Sequence, residues 1–410
     1  MEAHNSYKYP LIRFVGFSDA WEQRKLGDIV TVYDGVHQTP NYQTSGVMFL
    51  SVENIATLKS NKYISLEDFK RDYKVYPQKN DILMTRIGDV GTTNVVTDND
   101  VKAYYVSLAL LKYKATNPFF LSSAIQSDYV QKGLSNRTLK TAIPMKINKD
   151  EIGQVDVMLP TSADEQDLIG SFFARLDTLI ALHQRKCENL KKIKESMLRK
   201  MFPQNGSLYP EVRFDGFTGA WKQWKLGDVG TARSGVGFPD SEQGGITGIP
   251  FFKVSDMNTY GNENEMNVAN NYVSDSQIAA RRWSPIEEVP AIFFAKVGAA
   301  VMLNRKRLCR FPFLLDNNTM AYSLSKDLWD ADFAKALFET VDLTSLVQVG
   351  ALPSYNAGDV EGMEVWLPKL PEQKEIGAYF KRLDSLIALH QRKCEKLLNI
   401  KQSLLSNMFV

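Results

Sequence analysis

The chain has 410 residues, 44% of them hydrophobic and 23% charged, and a net charge of +2. That length exceeds what one ordinary core can bury, so two or more globular domains are expected. The near-neutral charge excludes nucleic-acid binding through bulk charge, and three cysteines exclude a disulfide framework.

In chain order, the first residues (Met-Glu-Ala-His-Asn-Ser-Tyr-Lys) hold no apolar signal core, and no stretch is long enough to span a bilayer. A reducing, cytoplasmic setting is therefore expected. A lead-in motif follows: Tyr9-Pro10, Arg13-Phe14, Gly16-Phe17, Ala20-Trp21, Gln23 and Lys25-Leu26-Gly27-Asp28. It recurs, 200 residues on, as Tyr209-Pro210, Arg213-Phe214, Gly216-Phe217, Ala220-Trp221, Gln223 and Lys225-Leu226-Gly227-Asp228. Trp21 and Trp221 are expected to be buried anchors, and the Gly-Asp after them a turn.

Each copy of the motif leads into a variable segment, 22–160 and 222–368. The two segments share a skeleton. A glycine-rich loop at Asp34 to Pro40 matches one at Ser234 to Pro239. A short apolar strand at Val47 to Val52 matches Ile249 to Val254, and a second at Asp81 to Gly88 matches Ala291 to Gly298. A helical patch (Pro118 to Lys132; Asp330 to Val347), an Ile/Leu-Pro turn at Pro144 and Pro353, and a strand ending in Leu-Pro at Pro160 and Pro368 complete each. Mixed strands and helices predict an α/β or α+β domain.

A long helix then follows each segment, from about Asp164 to Met201 and from about Pro371 to Met408. Both contain the nonapeptide Leu-Ile-Ala-Leu-His-Gln-Arg-Lys-Cys, at Leu179 to Cys187 and at Leu386 to Cys394. Apolar residues recur at helical spacing, including Phe173, Ile180, Ile193 and Met197, and Phe380, Ile387, Ile400 and Leu404. A helix of this length spans roughly 55 Å. A stripe that long and narrow needs a partner, and the other copy is the expected one. The predicted contacts of the helix pair are Ile169, Leu176, Leu179, His183 and Leu190 against Ile376, Leu383, Leu386, His390 and Leu397.

The sequence is poor in catalytic constellations. The glycine-rich loops lack phosphate-cradle spacing. Asn117-Pro118-Phe119-Phe120 lacks the second proline of an amino-methyltransferase tetrapeptide and reads as a helix start. No paired carboxylates with a nearby lysine suggest a Mg²⁺ nuclease. His183 with Cys187 and His390 with Cys394 sit at i and i+4, but a polar residue that sets register and a cysteine packed as a small hydrophobe account for them. No metal is expected.

What the variable segments do carry is basic and polar residues of the kinds that read base edges and phosphates. In the first these are Arg86, Thr92, Thr93, Asn94, Arg137 and Lys140. In the second they are Arg281, Arg282, Asn304, Arg305, Lys306 and Arg307, with Arg310 close by.

With these features in place, the chain resembles, over its whole length, the specificity (S) subunit of type I restriction-modification enzymes. The resemblance rests on the Leu-Pro…Glu-Gln junctions (Leu159-Pro160…Glu165-Gln166; Leu367-Pro368…Glu372-Gln373) and on helices running Ile-Gly…Phe…Arg-Leu-Asp…Leu-Ile-Ala-Leu-His-Gln-Arg-Lys. Each helix ends in Met-Phe, at Met201-Phe202 and Met408-Phe409. The resemblance implies an α+β protein: two α/β target recognition domains separated by two long antiparallel coiled-coil helices, with a pseudo-twofold repeat. The segments are then 1–163, 164–202, 203–370 and 371–410. It also implies a non-catalytic, cytoplasmic, bacterial or archaeal subunit that binds double-stranded DNA, each domain reading half of a split target. The helices set the spacer and dock two methyltransferase subunits, and restriction/translocase subunits join them. This chain would bind no cofactor. S-adenosylmethionine, ATP and Mg²⁺ belong to the partner subunits. A coiled-coil protein-interaction scaffold without sequence-specific DNA binding is the alternative, and a single-chain enzyme with an unrecognised site a second one.

Overall fold

A computed structural model describes residues 8–204, 206–325, 327–347 and 352–410. The chain divides into two compact units: Met1–Gln184 with Arg392–Val410, and Arg185–Gln391. No helix among the described residues is long and apolar enough to cross a membrane.

In the first unit the lead-in strand β1 (Glu22–Lys25) pairs antiparallel with β9 (Asp156–Leu159), so the variable segment begins and ends at one place. Between them lie β2 (Val30–Asp34), β3 (Val47–Leu50), β4 (Tyr63–Ile64), β5 (Ile82–Thr85), β6 (Thr93–Val95), β7 (Lys102–Tyr104) and β8 (Leu108–Tyr113). They form an antiparallel sheet of order β2-β8-β5-β6 and a smaller one of order β4-β3-β7, in which β3 and β7 are parallel.

The second unit repeats this plan. Its β10 (Lys222–Lys225) pairs with β18 (Glu364–Leu367). The strands between are β11 (Gly230–Ser234), β12 (Ile249–Phe252), β13 (Tyr272–Val273), β14 (Ala291–Ala295), β15 (Lys306–Cys309), β16 (Leu314–Leu315) and β17 (Thr319–Leu324). The orders are β11-β17-β14-β15 and β13-β12-β16. Two segments that differ in sequence therefore share one topology, the mixed α/β architecture expected.

The long helices run unbroken over Ala163–Lys200 and Leu370–Asn407. In each unit one half of one helix packs antiparallel on one half of the other. Ile169 and Phe173 meet Leu404, Met408 and Phe409 in the first unit, and Met197 and Phe202 join Ile376 and Phe380 in the second. The Met-Phe ends thus complete the cores. Trp21 is 1% exposed and lies edge-on to Phe120 and Phe409, as Trp221 does to Phe333 and Phe202. Sheet, helix and tryptophan close around the largest apolar cluster of each unit, and such burial is the dominant stabilising term for domains of this size.

Two local devices seat the helices. Asn117 caps the helix Pro118–Ile125 by accepting from the N–H groups of Phe119 and Phe120, with Pro118 at the first position. Asp330 caps Ala331–Thr340 by accepting from the N–H of Phe333 at 2.9 Å. The caps touch Gly170 and Gly377, where an added Cβ would stand 2.5 Å from Asn117 Oδ1 and from Asp330 Oδ1. Only glycine permits that crossing. The lead-in motif is tied down by bidentate ion pairs, Arg13 to Glu165 at 2.6 and 2.7 Å and Arg213 to Glu372 at 2.6 and 2.7 Å.

Candidate nucleic-acid interface

In each larger sheet, antiparallel pairing brings three strand ends together. Asp34 pairs with Ala109 and Thr85 with Leu108, so the ends of β2 and β5 meet the start of β8. The glycine-rich loop leaves from this edge, with His37, Gln38 and Thr39 exposed. The Ile-Pro loop returns to it. Ile87 bridges Lys146, and Gly88 N–H donates to Met145 O at 2.8 Å. Lys140, Ile143, Met145 and Lys146 of that loop are exposed, and Lys149 follows them. The second unit builds the same edge from Ser234, Ala295 and Thr319, with Val297 bridging Ser354 and Gly298 N–H donating to Pro353 O. Loops on one edge of a rigid sheet, carrying cations and polar side chains, suit contact with a nucleic-acid backbone and its bases.

The residues singled out from sequence scatter over this frame. Arg86 stands at the edge but is 5% exposed. Its Nη1 donates to Asp34 Oδ1 and its Nε to Ile147 O at 3.1 Å. As placed, it is a buried ion pair and not the open side chain that the sequence suggests. Thr92 donates to Asp89 at 2.6 Å. Thr93 is buried and donates to Ser122 O at 2.9 Å, and Asn94 donates to Ile55 O and Ala56 O. Arg137 reaches Glu151 at 3.2 Å, and Lys140 stays exposed.

In the second unit Arg281 pairs with Glu242 at 2.7 Å, while Arg282, at φ +53°, is exposed. Asn304, at φ +50°, accepts from Lys306 Nζ at 2.7 Å and from Leu343 N–H at 3.1 Å. Arg305 donates to Asn258 at 2.7 Å and Arg307 to Asn262 O at 2.8 Å. Lys306 is buried. Its ammonium also meets Val341 O, and burial pulls it down to about 8 against the opposing charges of Asp342 and Glu339. Lys306 is thus a buried ammonium held by two protein acceptors and not the exposed cation that its basic run suggests. Register explains why these groups share a fate. Thr93 lies opposite Met84 and Lys306 opposite Phe294, so Thr92–Asn94 and Arg305–Arg307 occupy the same outer strand of equivalent sheets.

That outer strand faces the long helices within each unit. In the first it lines a cleft of about 870 Å³ with Ser122, Arg175, Thr178 and Leu179. Lys401 spans its floor, 2.6 Å from Asp177 and 3.3 Å from Gln126. In the second the corresponding cleft is about 300 Å³ and filled by charge. Lys194 lies 2.7 Å from Asp384 and 2.6 Å from Glu339, and Lys335 pairs with Asp384 too. Burial pulls Lys194 down, but Glu339 and Asp384 outweigh it and raise its affinity for the proton.

The seam between the helices departs from the prediction at one position in each helix. Ile169, Leu176, Ile376 and Leu383 are buried and Leu190 packs against the second core, while Leu397 is half-buried. His183 and His390 are half-buried too. Leu179 and Leu386, however, are 45% and 43% exposed, and the buried residues are Ile180 and Ile387. Steps of four and three from Ile169 through Phe173 and Leu176 arrive at Ile180, and Leu179 lies about 100° away around the helix. Ile193 and Ile400 are exposed for the same reason.

Sequence reasoning passed over Lys146, Lys149, Lys253 and Lys296. The signal for Lys296 was present, because it follows β14 where Arg86 follows β5, two residues before a glycine in both cases.

Comparison with known proteins adds a family. The model described as Type I restriction modification DNA specificity domain matches residues 18–192 and again 219–399. Two relatives from Methanocaldococcus jannaschii are similar over nearly the whole chain. The putative type I restriction enzyme MjaX specificity subunit is 23% identical, over 94% of this chain and 92% of the relative. The type I restriction enzyme MjaVIII specificity subunit is 20% identical, over 94% and 91%. Among solved structures, the type I restriction-modification system S subunit from M. genitalium superposes with a TM-score of 0.68 at 13% identity, covering 98% of this chain and 99% of that one. A chain from a structure of the type I restriction-modification system gives 0.51 at 13% identity, over 94% and 96%.

Proposed function

The chain belongs to the type I restriction-modification DNA specificity family, and from that premise we propose that each of its two domains reads one half of a split DNA target. The chain is the DNA sequence-recognition subunit, and specificity subunits of this kind are non-catalytic. The observation that carries the reading is the repetition of one strand order, β2-β8-β5-β6 and β11-β17-β14-β15, beneath loops that differ in sequence. Shared frame and divergent loops are what two readers of different half-sites require.

The chemistry belongs to partners: methyltransferase subunits using S-adenosylmethionine, and restriction subunits using ATP and Mg²⁺. The two unbroken helices set the spacer between half-sites. For methyltransferase docking, we assign the leucines that the seam leaves outside. Leu179 and Leu182 are exposed in the first unit and the identical Leu386 and Leu389 in the second, so the same apolar surface is presented twice, to two copies of one partner.

The test exchanges residues 22–160 for the equivalent segment of a relative and maps adenine methylation in a host carrying the chain with its methyltransferase. One half of the target should change and the other stay. A swap that altered both halves, or neither, would sink independent reading.

A further inference from the structure

The two sheet edges carry different charge at matching positions. Asp34 ends β2 and Ser234 ends β11, and each is followed by a glycine pressed on the facing chain. An added Cβ would stand 2.4 Å from Tyr105 O at Gly35 and 1.9 Å from Asp316 O at Gly235. Arg86 and Lys296 follow β5 and β14. Each precedes by two residues a glycine of positive φ, Gly88 at +83° and Gly298 at +81°. The backbone fixes these equivalences independently of side chains.

In the first unit the carboxylate of Asp34 neutralises Arg86. In the second an exposed serine stands where that carboxylate would be, and Lys296 is half-buried. Among the described residues no carboxylate lies within ion-pair distance of its ammonium. Lys253 adds a second cation where Ser51 stands in the first unit, and its Nζ donates to Gln243 at 3.1 Å. Asp316, between β16 and β17, is buried; burial raises its carboxyl against the opposing charge of Lys253, and its oxygens accept from Asn318 N–H and Nδ2 at 3.3 Å. A cation partly withdrawn from water and lacking a counter-charge favours an anionic ligand. An ammonium on a flexible stem suits a phosphate oxygen, approached as a point charge.

We propose that Lys296 grips a phosphate of duplex DNA at the sheet edge of the second domain, where the first domain neutralises its own cation with Asp34. The two domains therefore hold DNA asymmetrically, and one residue, Asp34 or Ser234, sets whether the cation that follows β5 or β14 is neutralised. This rests on the DNA-recognition reading above.

The test is fluorescence anisotropy of the full chain with a labelled duplex of arbitrary sequence, titrated across a salt series. Lys296→Ala and Ser234→Asp should each lower the slope of log K against log salt by about 0.9 and weaken binding about fivefold at 0.15 M salt. Lys296→Arg should keep the parent slope, which a fold defect would not. Asp34→Ser should raise the slope by freeing Arg86. Parent-like slopes for both Lys296→Ala and Ser234→Asp, with salt-dependent binding by the parent chain, would overturn this proposal alone. No binding by the parent chain would remove the reading beneath it as well.

Discussion

The clamps between lead-in motif and long helix offer the sharpest stability test. Glu165 has a 1% exposed side chain and holds Arg13, itself 13% exposed, through two short bonds. Truncating Glu165 to alanine leaves the guanidinium with little water and no counter-charge. Breaking a buried pair in this way costs roughly 3–5 kcal/mol, and the partial exposure of Arg13 points to the lower end, about 3. Glu372 does the same for Arg213 and also accepts from Trp221 Nε1 at 3.3 Å. Among the described residues the indole nitrogen of Trp21 has no such partner. Glu372→Ala should therefore cost about 1 kcal/mol more than Glu165→Ala, the worth of one long indole bond left unmade. Replacing both partners with apolar residues, Arg13→Met with Glu165→Leu, should recover most of the loss. Hydrogen exchange of the β1–β9 and β10–β18 pairs, read by mass spectrometry, measures each clamp locally. A cost below about 1 kcal/mol for Glu165→Ala, or a double variant as unstable as the single one, would refute the assignment of these pairs as structural clamps.

Other outcomes follow from the same geometry. Lys306 holds its proton less tightly when folded, about 8 against 10.5 for a free lysine. Between those values the unfolded chain binds more protons, so stability should rise with pH. Lys306→Met should abolish that rise and match or exceed the parent at pH 7, by roughly 3 kcal/mol at most; urea midpoints across pH 7 to 10 report it, and an unchanged rise would mean another group is responsible. Lys140→Ala with Lys146→Ala should weaken binding to every duplex alike and lower the salt slope by about 1.8, whereas a loss confined to the methylated target would make these residues base readers. Leu182→Glu with Leu389→Glu should prevent co-purification of the methyltransferase subunit while leaving thermal unfolding unchanged; normal co-purification would move the docking surface elsewhere. Burial pushes the Cys309 thiol up to about 12, so a thiol reagent should reach it only on unfolding, and rapid labelling of the native chain would contradict its placement in the core.

How far the sequence discloses this molecule depends on the distance over which each feature is encoded. The duplication and the long helices are local strings, and they were readable. So was the strand skeleton, because short apolar runs bounded by glycine and proline carry their own period. At one position in each helix the seam was read one residue off. Leu179-Ile180 and Leu386-Ile387 each offer two adjacent apolar residues, and only the phase counted from Ile169 and Ile376 decides between them. The reading surface was harder. Arg86 looks like an open arginine until the fold brings Asp34, 52 residues away, against it. Lys306 looks like part of an exposed basic run until pairing places it opposite Phe294 and beneath Val341. Composition marks residues able to touch DNA. Whether they are free to do so depends on partners remote in the chain.

The Met-Phe ends of the helices have a consequence for the order in which this protein is made. Trp21 lies early in the chain, yet one wall of its pocket is Phe409, 6.1 Å away ring to ring. During vectorial synthesis the first domain therefore leaves the ribosome with its tryptophan pocket open, and it stays so until residues 392–410 are released. The second domain meets Met201 and Phe202 before its own strands have emerged. Of these two domains, the one translated earlier is completed later, and a ribosome stalled before residue 392 would hold that domain without Met408 and Phe409 in its core.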